Sequence, residues 1–117
     1  MAGGISVHAV DVAQGVPANG LGVGVYRLLP LGEVCIAEGI LGPQGTLDHP
    51  VTRGDGVEIG SYEIRLQVGD WWRSLGDTAP CFFQETVVFR FEVFDTTPHY
   101  HLPIKFTKWG FAMFRGA

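Results

Sequence analysis

From Gly60 to Gly69 the chain alternates with period two: Tyr62, Ile64, Leu66 and Val68 are apolar, while Ser61, Glu63, Arg65 and Gln67 are polar. Successive side chains of a strand point to opposite faces, so this pattern predicts a half-buried β-strand. Strands are also predicted at Ile5–Val12, Gly22–Pro30, Glu33–Leu41, Thr86–Asp95, His99–Lys108 and Gly110–Arg115. Turn-forming clusters separate them, among them the run from Gln14 to Gly20, Gly42-Pro43-Gln44-Gly45 and Arg53-Gly54-Asp55-Gly56. One segment breaks the alternation. Val68-Gly69-Asp70-Trp71-Trp72-Arg73-Ser74-Leu75-Gly76 predicts a two-turn helix with Asp70 as N-cap and Gly76 as the left-handed stop. Seven or eight short strands with one short helix near 70–76 predict an all-β, antiparallel two-sheet sandwich.

Composition narrows the class. A chain of 117 residues forms a single domain across 1–117. With 46% hydrophobic and 17% charged residues it has the makeup of a folded globular domain. The net charge of −4 and the lack of any Lys or Arg run argue against a nucleic-acid partner. No stretch approaches the ~18 apolar residues of a membrane span, and the first residues lack the marks of a secretory signal. The expectation is a cytoplasmic protein with no membrane partner. Cys35 and Cys81 have no metal-ligand spacing; their apolar neighbours suggest small core residues, with one long-range disulfide left open.

Candidate chemistry concentrates on histidines. His99 and His101 share one strand face with Pro103, Lys105 and Thr107, and Tyr100, Leu102, Ile104 and Phe106 form the apolar face behind it. His8 points with Ser6, Val10 and Val12. Three readings stay open for these rings: zinc ligation, a solvated strand face, or an acid–base pocket. Lys105 is either an edge-strand charge that discourages aggregation or a cation within a site. Trp71 and Trp72 suit helix-to-sheet packing, and Asp11, Asp48, Asp55 and Asp95 sit beside turns, where carboxylates accept backbone N–H groups.

Several separated segments carry a resemblance. Ser6-Val7-His8-Ala9-Val10-Asp11 precedes Gly15-Val16-Pro17-Ala18; then come Val25-Tyr26-Arg27-Leu28, Gly60-Ser61-Tyr62-Glu63 and Gly69-Asp70-Trp71-Trp72-Arg73. His99-Tyr100-His101-Leu102-Pro103 and Phe114-Arg115-Gly116-Ala117 complete the set. These resemble the transthyretin-like family, whose enzyme branch is 5-hydroxyisourate hydrolase, with its T-H-V-L-D, G-x-P-A, H-Y-H-V-P-L and terminal Y-R-G-S. The resemblance implies an eight-stranded sandwich that pairs into dimers and then a homotetramer, with active sites in a channel where two dimers meet. It implies a small-molecule substrate, no cofactor and no metal. It further implies that water opens a lactam ring while the matching His8 and His101 move protons and a cation or hydrogen-bond donors hold the oxyanion.

Departures from that pattern fall in the pocket. The family's G-R-x-D-x-P stands here as Gly45-Thr46-Leu47-Asp48-His49-Pro50, so Thr46 replaces the arginine. Phe114 and Ala117 replace its Tyr and Ser, and Lys105 stands where the family is apolar. Loss of one preorganised oxyanion donor commonly costs about 2.7–4 kcal/mol. The expectation is a diverged enzyme acting on a small cyclic substrate, its pocket lined by Lys105, Thr46, Phe114, Arg115, Ala112 and Ala117. Hydrolytic ring opening leads, with cyclisation, isomerisation or elimination in a biosynthetic pathway as competitors. Two alternatives stand beside it: a true 5-hydroxyisourate hydrolase of purine catabolism with Lys105 as its cation, and a ligand-binding protein without turnover.

Overall fold

Two four-stranded sheets stack with their apolar faces inward in the computed structural model, which describes residues 3–116. The strands are β1 (Ile5–Asp11), β2 (Val16–Pro17), β3 (Gly22–Leu29), β4 (Gly32–Ile40), β5 (Gly60–Leu66), β6 (Val87–Val93), β7 (Tyr100–Thr107) and β8 (Gly110–Met113). One sheet runs β2-β1-β7-β8 and the other β4-β3-β5-β6. Among the described residues one α-helix, α1 (Val68–Ser74), follows β5. The period-two alternation thus becomes an all-β sandwich with one short helix.

The core is the sum of the apolar half-strands. Ile5, Val7 and Ala9 of β1 and Tyr100, Leu102, Ile104 and Phe106 of β7 are buried opposite Val23, Val25, Tyr62, Ile64 and Leu66. Trp71 and Trp72 close one end, both edge-on to Phe106, at 6.3 and 5.7 Å between ring centroids. The Trp71 indole donates to the buried Asp11 carboxylate at 3.1 Å, and that carboxylate also accepts from the backbone of Ala13 and Gln14. Asp11 therefore ties the end of β1 to α1 and to the turn that follows.

Four details differ from the sequence expectation. The sandwich is not antiparallel throughout: β1 and β7 pair in parallel, Ile5 with Tyr100 through to Asp11 with Phe106. Parallel neighbours need a long connection, and almost the whole chain separates these two strands. The N-cap of α1 is Gln67, not Asp70; Asp70 sits in the first turn and pairs with Arg73 at 3.3 Å. Cys35 and Cys81 are free and exposed, because Cys35 lies on the edge strand β4 and Cys81 in the loop before β6. Glu63, expected on the solvated face of β5, is buried with both oxygens held, by Arg65 at 2.6 Å and Arg90 at 3.0 Å.

Candidate functional site

The solvent-facing side of the β2-β1-β7-β8 sheet collects most of the residues singled out above. Inward positions of β1 and β7 are fixed by the core, so Ser6, His8 and Val10, and His101, Pro103 and Lys105, must face outward. The parallel register sets Ser6 beside His101, His8 beside Pro103, and Val10 beside Lys105. His8 is thus one step along the sheet from His101. Their rings lie 6.4 Å apart between centroids and 24° from coplanar orientation.

Two flanking segments complete this face. Residues 45–47 bridge to β1, and Thr46 pairs opposite His8. Gly45 makes that approach with φ of +77° and with its carbonyl accepting from Ala9; a Cβ there would lie 2.5 Å from the Ala9 carbonyl oxygen. On the other side β8 pairs with β7, Lys105 opposite Ala112, and a final bridge sets His101 opposite Gly116. The same register puts Phe114 across from Pro103, where it is 54% exposed. Gly116 packs directly on His101, since a Cβ on it would come within 2.8 Å of the ring's Cδ2. A larger residue would push the imidazole aside.

The structure therefore brings His8, His101, Lys105, Thr46, Ala112 and Phe114 onto one face. Arg115 departs from the group. Its guanidinium lies 4.4 Å over the Tyr100 ring and donates to the His99 carbonyl, on the side it shares with Phe91 and Phe94. Strict alternation from Ala112 and Phe114 already separates Arg115 from them. Ala117 lies outside the described residues.

The alternation sets His99 on the His101 face and Ser6 on the His8 face, and the fold joins the two sets. The Ser6 hydroxyl links the two rings, 2.6 Å from Nδ1 of His101 and 2.8 Å from Nε2 of His99. The usable signal was Ser6's place on the His8 face, two residues away. The fourth histidine, His49, is structural: its Nδ1 accepts from Val51 at the start of a short 3-10 helix.

Electrostatics favour a neutral His101. Burial lowers its proton affinity below the ordinary histidine value, and the neighbouring His8 and His99 lower it further. Lys105 is exposed, and the ion pairs among the described residues engage Arg27, Arg65, Arg73, Arg90 and Lys108 instead. Among the described residues no three His, Cys, Asp or Glu side chains are grouped to hold a metal ion. A concavity of about 510 Å³ lies at the other end of the β1–β7 pair, lined by Trp72, Lys108 and Trp109 among others, and it includes neither His8 nor His101. On a single chain the histidine face is an open surface. A base, a second imidazole and an ammonium on one rigid sheet can move protons and hold an anion.

Comparison with known proteins shows the family. The HIUase/Transthyretin family model matches residues 5–116. A protein of Rhizobium meliloti named 5-hydroxyisourate hydrolase 2 is 34% identical over 98% of this chain and 97% of its own length. The 5-hydroxyisourate hydrolase of Deinococcus radiodurans is 31% identical over 97% of this chain and 96% of its own. Among solved structures, an (S)-allantoin synthase superposes with a TM-score of 0.88 at 27% identity over 99% of this chain, which spans only 44% of that longer protein. Sea bream (Sparus aurata) transthyretin superposes at 0.84 with 20% identity, over 97% of each chain, a likeness of fold. No helix among the described residues is long and apolar enough to cross a membrane. With the model running from the first strand to the glycine that abuts His101, the chain belongs to the HIUase/transthyretin family.

Proposed function

We propose that the protein is a hydroxyisourate-hydrolase-like enzyme that opens a small cyclic amide with water, using His101 as general base and His8 as the proton donor to the leaving nitrogen. The observation that carries this reading is the pairing of the two rings, 6.4 Å apart, on one face of a sheet whose register is set by the core. Water adds to the ring carbonyl and its proton passes to His101. The carbon–nitrogen bond then breaks, and the nitrogen takes a proton from His8. Lys105 stabilises the intervening oxyanion. The relatives named 5-hydroxyisourate hydrolase support an enzyme.

Thr46 and Phe114, in place of an arginine and a tyrosine, make the pocket less able to hydrogen-bond a heavily oxygenated purine-derived ring and better suited to a more apolar one, and Lys105 suits it to an anion. The face is open on one chain, and the enzyme completes it by assembling as a homotetramer in the cytoplasm. The free, exposed thiols of Cys35 and Cys81 fit a reducing compartment.

A second reading is favoured by one observation. Lys105 makes no ion pair among the described residues and shares the histidines' face, so it is free to do the work of the arginine that Thr46 replaces. The protein is then a 5-hydroxyisourate hydrolase. Ultraviolet decay of freshly generated 5-hydroxyisourate separates the two. No acceleration over buffer by micromolar protein supports the diverged enzyme. Acceleration that is lost in Lys105→Met establishes the second reading.

A further inference from the structure

The Ser6 hydroxyl serves two imidazoles at once, and the acceptor at the far end fixes which way each hydrogen points. Nδ1 of His99 bonds to the Gly3 carbonyl. A carbonyl only accepts, so that nitrogen carries a hydrogen. In a neutral imidazole the other nitrogen is then an acceptor, so Ser6 Oγ–H donates to His99 Nε2 across 2.8 Å. Having given its one hydrogen, the Ser6 oxygen accepts from His101 Nδ1–H across 2.6 Å. His101 is left with Nε2 as its basic nitrogen.

We propose that Ser6 and His99 are positioning residues for His101: the run from the Gly3 carbonyl through His99 and Ser6 holds the His101 ring as its Nδ1–H tautomer, with Nε2 bare. This rests on the reading of His101 as general base, since a base in the wrong tautomer offers a hydrogen where a lone pair is needed. The run joins β1, the segment before it and the start of β7, so the parallel register that pairs Ser6 with His101 also sets the tautomer. Gly116 bars the ring from swinging off the serine.

Long-range proton–nitrogen correlation spectra of the full chain with labelled histidines, at mildly alkaline pH where imidazoles are neutral, read the tautomer directly and need no substrate. Wild-type protein is expected to show His101 with a hydrogen on Nδ1 and none on Nε2. Ser6→Ala shifts the ratio toward Nε2–H by about threefold to tenfold, the weight of one ordinary hydrogen bond, and Ser6→Thr restores it. His99→Phe is the sharper variant. The serine, with no His99 acceptor, turns its hydrogen to His101 Nδ1, and the hydrogen of His101 moves to Nε2. A wild-type His101 in the Nε2–H form, or one unmoved by His99→Phe, overturns the proposal. A tautomer as expected in a protein whose His101→Ala variant keeps full activity leaves the relay standing and removes the general-base reading instead.

Discussion

His101 meets Ser6 at Nδ1 and Gly116 at Cδ2, and the His8 ring lies 6.4 Å away between centroids. Burial is the first cause of its lowered proton affinity, so its acid limb in a kcat/KM profile should lie below the ordinary histidine value of about 6.5. His8→Asn removes a positive neighbour and should move that limb upward, measured on whichever residual activity remains. The same shift has a stability side. The unfolded chain binds a proton at this site more readily than the folded one. The contribution is therefore complete above the unfolded value and declines as the pH falls through it toward the lower folded value. Gly116→Ala tests position rather than charge. The new methyl drives the imidazole off its place, and a misplacement on the order of 1 Å costs about a hundredfold in kcat. Its melting temperature should stay close to wild type.

At the scale of elements, the account rests on β1 lying beside β7 in one register. Asp11 and Trp71 help fix that register by tying the end of β1 to α1. Trp71→Phe leaves the buried carboxylate one donor short and should cost about 1–3 kcal/mol in thermal or chemical denaturation. Alternation made the strands plain in the sequence, because a half-buried strand imposes period two on its own residues. It placed His8, His101 and Lys105 facing outward for the same reason. Pairing partners leave no such local mark, so the parallel β1–β7 match and the Ser6 link between two histidines more than ninety positions away appear only once the chain folds. Cys35 is exposed despite its apolar neighbours because they belong to an edge strand, exposed along most of its length. Arg115 was readable: parity alone puts it on the face opposite Phe114.

At the scale of the whole molecule, one chain presents the histidine pair, Lys105 and Phe114 on one face, and the proposed tetramer is what closes that face into a pocket. Sedimentation should therefore give a tetramer at assay concentration, and a stable monomer with full activity would contradict the shared channel. Substrate choice lies at this scale too, since Thr46, Phe114 and Lys105, which differ from the family pattern, share the histidine face. The triple variant Thr46→Arg, Phe114→Tyr, Ala117→Ser returns the family's polar groups to the chain. The most direct measurement is the rate of 5-hydroxyisourate decay with this triple variant, alone and with His101→Ala added. The acid–base account predicts acceleration by the triple variant and a loss of about a hundredfold to ten-thousandfold when His101 is removed. Undiminished acceleration without that imidazole would contradict it.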